Sequence, residues 1–433
     1  MSSENARAVR VGRGGLFYGW WIVAAGTVII AVNSAFFYYG MAVFFTPLIL
    51  EFGWSRTALS GVFSIARMQA GIAGPLAGIA IDRWGARRMV LIGLLFVATG
   101  FFLLARVYTL EAFYAVFILC LSVGTGLSAS PPIGAALANW FVRRRGLAMG
   151  ILMCGAGVGG FLATSLGWLI GAYGWRTTMN IMAGTVLLTG LPAAMVIRHR
   201  PQPYGLRPDG DPPGEPPAKP RSTIAELRRA GSDFPPAETL RTRAFYLLAL
   251  VFGLRQLTTS GALIHLPALM VDRGYALETA AAIAGLVALV SIPGRLLCGW
   301  LADRVDQRYV FAASFVLLSA SLTVLTFGAT PLHVGLFVVG YGLSYGGGVP
   351  LMMSMVADYF GHRWYATTYG LIQFAMTWGN VAGPLVAGYA FDATGGYDLA
   401  LHTFTLGNLL ALVVVLLVRP PRRTARPVEV RPA

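Results

Sequence analysis

Apolar residues in this chain come in runs of about twenty, separated by short polar breaks. A helix needs roughly that many residues to cross a hydrocarbon core of about 30 Å. Twelve spans are predicted, the first six at about 18–48, 58–81, 89–106, 112–138, 147–173 and 178–197. After a long polar break, six more are predicted at about 243–270, 279–302, 309–329, 334–358, 366–391 and 399–418. Helices are expected rather than strands, because lipid offers no water to satisfy backbone groups. The predicted fold class is an all-α membrane protein, with twelve transmembrane helices in two six-helix bundles. Residues 18–197 and 243–419 form these bundles, 198–242 a linker, and 1–17 and 420–433 polar tails.

Composition narrows this further. The chain is 56% hydrophobic and 12% charged, against about 25% charged in soluble domains. A soluble reading would leave too little polar surface to cover the apolar runs. The linker is rich in proline, with Pro212-Pro213 and Pro216-Pro217, and reads as extended. One exception inside it is Thr223-Ile-Ala-Glu226, a capping box that could open a short helix. Cys120, Cys154 and Cys298 lie far apart in apolar segments and read as packing residues. The first apolar run is too long for a signal-peptide core.

The net charge of +15 does not point to nucleic acid, because the basic residues are spread between spans rather than gathered on one face. Of the 33 lysines and arginines, 26 lie in the loops and tails of one side. The opposite loops hold Arg56, Arg106, Arg176 and Arg273, and three more arginines, Arg67, Arg255 and Arg295, fall inside spans. The excess marks the cytoplasmic side, so both termini are expected there, in a multi-pass protein of the cell membrane.

The halves repeat. Gly78-x-x-x-Asp82-Arg83, followed by Arg87 and Arg88, joins the second and third spans; Gly299-x-x-x-Asp303-Arg304, followed by Arg308, joins the eighth and ninth. A glycine four residues before an aspartate sits on the same helix face, one turn deeper. The glycine admits a neighbouring helix, and the aspartate can pair or cap. Gly78, Asp82, Arg83, Arg88, Gly299, Asp303 and Arg304 are therefore the candidate conformational-switch residues. Gly155-x-Gly157-x-Gly159-Gly160 reads as a close-packing seam, not a phosphate loop.

Twelve spans, a six-plus-six division and this loop in both halves resemble the major facilitator superfamily, whose halves rock about a midplane site. Tyr18-Gly19-Trp20-Trp21, Glu51-Phe52-Gly53-Trp54-Ser55-Arg56, Trp140 to Gly150, Gly174-Trp175-Arg176 and Gly383-Pro384-Leu385 make it similar to the monocarboxylate transporters and their bacterial lactate-transporting relatives. The resemblance covers about Tyr18 to Arg419.

An arginine facing lipid costs roughly 3 kcal/mol even on lenient scales. Arg295 lies eight residues before Asp303, about 12 Å inside the boundary, and no Asp or Glu lies deep in any span. Either a substrate anion completes it through a charge-assisted pair, or helix carbonyls and water do. The resemblance implies the first, placing the family's substrate-binding arginine here. It also implies departures: an aspartate four residues earlier is Ser291 in this chain, and the family's first-helix lysine is replaced around Tyr39, next to Tyr38.

His265 is the proton-coupling candidate, its reference pKa suiting a relay, with a structural role as the alternative. Arg255 with Thr258, Thr259 and Ala262 forms a small or polar strip; facing the cavity, it would suit a diacid. Tyr345, among the glycines of Gly342 to Gly348, could bond the substrate beside Arg295 or pack the core. Arg67 could steer anions or snorkel. The expected function is transport of small organic anions, monocarboxylates such as lactate or pyruvate, with dicarboxylate exchange or export of another acidic metabolite as alternatives. The expected partners are a small carboxylate, a co-transported proton or exchanged anion, and the lipid bilayer, with the protein acting as a monomer. No metal, cofactor or nucleic acid is implied, and neither HExxH nor paired carboxylates in the spans suggests an enzyme.

Overall fold

The computed structural model describes residues 16–211, 233–328 and 330–421. The basic N-terminal stretch, the Thr223–Glu226 capping box and most of the C-terminal tail lie outside the described residues.

Twelve long helices follow in order among these residues. The first six are α1 (Tyr18–Tyr39), α2 (Arg56–Trp84), α3 (Ala86–Leu104), α4 (Leu110–Trp140), α5 (Arg145–Tyr173) and α6 (Trp175–Val196). The second six are α7 (Arg243–Asp272), α8 (Leu277–Ala302), α9 (Gln307–Phe327), α10 (Pro331–Phe360), α11 (Tyr365–Thr394) and α12 (Asp398–Leu417). Local chemistry sets many ends. Ser55, Thr109 and Thr242 each accept a backbone N–H from the first turn of α2, α4 and α7. Gly395 ends α11 in the left-handed region, where a side chain would be strained.

Three helices change pitch. α1 turns into a π-helix at Ser34–Tyr39 and is followed by a 3-10 turn and a short helix, Phe45–Phe52. The single long first span of the sequence reading thus runs through successive helical pitches, and the π segment holds Tyr38 and Tyr39. α4 has a π segment at Phe117–Ser122 and breaks at Ala129, before Pro131 and Pro132, which have no N–H to give. α6 has a third at Val186–Gly190.

Ten of the twelve are long and apolar enough to cross a membrane by composition alone. The two that fall short, α2 and α11, pack against each other across the boundary between halves. Helices that face protein rather than lipid can carry the Gly, Thr, Gln and Asn that these two contain. A second cross-half pair is α5 with α8. Within halves, α1 packs on α5 and α3 on α4, while α7 packs on α11, α8 on α10 and α9 on α12.

The core is divided unevenly. One cluster joins both halves near the face that bears the linker, bringing together Ile133 and Met149 with Met353 and Tyr365. The other, around Leu269, Phe337 and Phe404, belongs to the second half alone and lies toward the far face.

Candidate functional site

The seam between halves is built from glycines. On α5, Gly146 and Gly150 meet the backbone of Gly299 and Arg295 on α8, and Gly157 meets Ile292. On α2, Gly71, Gly74 and Gly78 meet Thr377, Gly370 and Ala366 of α11. A methyl group at these positions would strike the opposite helix, so glycine sets the approach.

Aspartates lock the linker-face end of each seam. Asp82 of α2 accepts the N–H groups of Ala366 and Thr367 at 3.1 and 2.8 Å and the Thr367 hydroxyl at 2.7 Å. Asp303 of α8 accepts those of Gly146 and Leu147 at 2.8 and 2.9 Å. Each carboxylate therefore satisfies the free N–H groups at the amino end of a helix in the other half, and meets the positive end of its dipole. Arg83 and Arg88 are exposed, and Arg304 stacks on Trp300.

Two more grips come from the linker. Asp209, held at a positive φ of 59°, accepts the N–H groups of Val142 and Arg143 and pairs with the Arg143 side chain. Asp233 accepts those of His362 and Arg363 at 2.9 and 3.0 Å. The described ends of the linker are thus docked on the α4–α5 and α10–α11 loops, at equivalent places in the two halves. The buried pair Arg145–Asp358, 2.5 Å apart, ties α5 to α10 beneath them.

Toward the far face the seams part. Continuing the α8-facing stripe of α5 beyond Gly157 at helical spacing gives Phe161, 73% exposed, and Trp168, 66% exposed. The matching stripe of α8 gives Leu289, 57% exposed, and Gly285, where a methyl would meet nothing within 4 Å. On α11 it gives Val381 and Leu385, both exposed. The molecule is shut at the linker face and parted at the other.

Arg295 lies where the closed part ends. It is 7% exposed, and its Nη1 donates to the Met153 carbonyl of α5, across the seam. Its remaining N–H groups make no hydrogen bond and the side chain no ion pair among the described residues. Tyr39 of α1 and Tyr345 of α10 lie within electrostatic reach of one another, and Tyr39 of Arg295. Gly160 makes room for the Tyr39 ring, and Cys154 also lies within reach of Arg295. Tyr39 is the last residue of the π segment of α1.

Other predicted residues are placed elsewhere. Ser291 is fully buried, its hydroxyl donating to the Ala288 carbonyl and its backbone pressed on Gly346. Arg255 is buried behind α10, with Nη2 donating to the Ser344 and Tyr345 carbonyls, each at 3.0 Å, and Gly348 clearing space for its guanidinium. Tyr38, 63% exposed, lies within electrostatic reach of Tyr369 on α11, across the boundary between halves. The Arg67 side chain lies outside the described residues.

His265 belongs to a separate small cavity between α7, α9, α10, α11 and α12, beside Leu269, Phe337 and Phe404. Its Nε2 faces the Pro384 carbonyl and its Nδ1 the Tyr397 hydroxyl, both at 3.2 Å. A carbonyl only accepts, so Nε2 carries the hydrogen, and in the neutral ring Nδ1 accepts from Tyr397.

Sequence reasoning missed Met153, Cys154, Asp209, Asp233 and the Arg145–Asp358 pair. Only Asp209 had a local signal, the turn-forming Pro208-Asp209-Gly210.

Comparisons with known proteins agree with this geometry. Residues 27–379 and, overlapping them, 257–432 match the family model described as Major Facilitator Superfamily. Monocarboxylate transporter 11 of Homo sapiens is 29% identical over 407 residues, covering 91% of this chain and 81% of that protein. Monocarboxylate transporter 4 of Gallus gallus is 26% identical over 385 residues, covering 88% and 78%. Two crystal structures share the fold, each with a TM-score of 0.69: the human organic anion transporter MFSD10 (TETRAN), 20% identical, covering 92% of this chain and 99% of that one, and FucP in its outward conformation, 17% identical, covering 93% and 100%. These proteins are transporters and not enzymes, and this chain belongs to the Major Facilitator Superfamily of membrane transporters.

Proposed function

We propose that the protein carries small monocarboxylates, such as lactate or pyruvate, across the cell membrane by alternating access, acting as a monomer. The observation that carries this reading is Arg295. It is a buried cation at the end of the closed seam, bonded once to a backbone carbonyl, with no carboxylate paired to it among the described residues. A substrate carboxylate supplies two acceptor oxygens for its free N–H groups, in a charge-assisted pair. Tyr39 lies within electrostatic reach of Arg295 and of Tyr345, so each half brings a tyrosine hydroxyl toward this region. A second carboxylate of a diacid would call for a second cation beside Arg295, and Arg255 is buried behind α10, its Nη2 on the Ser344 and Tyr345 carbonyls and its Nη1 without a partner. That favours a single carboxylate.

The arginine-rich linker face is read as cytoplasmic, so the parted seams face outward. Because Arg295 is on α8 and Tyr39 on α1, an anion that pairs with the guanidinium and accepts from the Tyr39 hydroxyl links the two halves on the outer side. Opening the inner side then requires Asp82 and Asp303 to release their helix ends. Uptake into proteoliposomes of labelled lactate, pyruvate, oxalate and succinate, with and without a pH gradient, tests the reading. Saturable uptake of the monoacids is expected, and uptake confined to the diacids contradicts it.

A further inference from the structure

We propose that the linker face holds a second anion site, built for a phosphate group and separate from the Arg295 site on the other side of the closed seam. A cleft of about 580 Å³ there is lined by Ile79, Asp82, Arg83, Arg200, Arg363 and Trp364. Arg83 and Arg200 come from the first half and the start of the linker, and Arg363 and Trp364 from the α10–α11 loop of the second half. None of the three guanidinium groups makes a hydrogen bond or ion pair among the described residues; Arg363 rests on the Trp364 ring.

Their neighbours behave differently. Arg143 pairs with Asp209 and Asp211, Arg145 with Asp358 and Arg308 with Asp306. The acid that lines the cleft, Asp82, has both oxygens taken by Ala366 and Thr367. Arg200 lies within electrostatic reach of Asp82, His199 and His362. The cleft is therefore cationic, with three guanidinium forks whose planar donors match the oxygens of a phosphate. Ile79 and Trp364 add an apolar wall for whatever the phosphate is attached to.

The cleft exists only while the linker face is shut, because its cations belong to elements that separate when the halves part. A phosphate held by all three binds the closed form in preference and shifts the population toward it. The phosphate can arrive on a soluble compound or as the headgroup of an anionic lipid.

Two arms separate these sources for the full chain in phosphatidylcholine nanodiscs. One titrates pyrophosphate by calorimetry at low salt. The other replaces about a fifth of the lipid with phosphatidic acid and follows the thermal midpoint. Each is run on the wild type, on R83Q/R200Q/R363Q, on the single variant R363Q, and on R87Q, an exposed arginine outside the cleft. Saturable pyrophosphate binding, weakened at least about tenfold in the triple variant and retained in R87Q, supports a soluble ligand. A midpoint raised only by phosphatidic acid, in the wild type and R87Q but not in the triple variant, supports a headgroup. The triple variant must keep wild-type binding of the transport substrate, and otherwise R363Q alone carries the comparison. Equal responses in wild type and cleft variants, or equal loss in R87Q, overturn the site.

Discussion

Thr367 gives Asp82 two hydrogen bonds, from its N–H at 2.8 Å and its hydroxyl at 2.7 Å, so an aspartate of the first half closes a helix of the second. Asp303 returns the favour to Gly146 and Leu147. Asp82→Asn and Asp303→Asn each keep one acceptor and lose the charge that faces the helix dipole. About 1–2 kcal/mol of preference for the shut linker face should go with each. Distances between spin labels across that face should lengthen in both variants. An unchanged distribution would show that the caps do not hold the gate.

The linker grips should act in the same direction. Asp209 and Asp233 hold the loops that begin α5 and α11. In D209N/D233N the thermal midpoint should fall by a few degrees, consistent with about 1 kcal/mol for each lost charged bond. Protease cleavage of the linker should become faster. Cleavage at the wild-type rate would mean that the linker is a passive tether.

Acid should loosen one contact of this face. His199 accepts the Ala86 N–H through Nδ1 at 3.4 Å, and burial, with Arg200 beside it, holds its pKa at about 4. In the unfolded chain the ring takes its proton near 6.5. Between these values the unfolded chain holds more protons, so stability rises with pH, and it is lost as pH falls from 6.5 toward 4. The thermal midpoint of the wild type should therefore drop more between pH 7 and 5 than that of His199→Asn. Parallel drops would remove His199 from the account.

The spans, the division into halves and the repeated Gly–Asp spacing were all legible, because lipid and close packing impose composition. What each aspartate caps was not legible: Asp82 meets Ala366 from 284 residues away, and nothing local names that partner. The role of Tyr39 was obscured by the π turn of α1, a change of pitch that leaves no mark on hydropathy. Proline content suggested an extended linker, yet its described ends are docked through single aspartates, which composition averages away. Arg295 and Arg255 read alike in sequence as buried cations. Which one faces the parted seam depends on how α8 and α7 are rotated within the second half.

Tyr39 and Tyr345 come from opposite halves, so their hydroxyls should matter most when the halves meet around substrate. Tyr39→Phe and Tyr345→Phe should each raise the uptake KM several-fold, as loss of about 1 kcal/mol implies. The Tyr345 ring stacks on Tyr341 and the Tyr39 ring packs on Gly160, contacts that phenylalanine keeps, so stability should change little. Wild-type KM in both variants would take the tyrosines out of the site.

The most direct test is the initial rate of labelled lactate or pyruvate uptake into proteoliposomes, compared between wild type and Arg295→Ala. Removing one member of a desolvated charge pair costs about 2–5 kcal/mol, so kcat/KM should fall at least about thirtyfold, with Arg295→Lys between the two. A folded Arg295→Ala protein that transports at the wild-type KM and rate would contradict the claim that this guanidinium holds the anion.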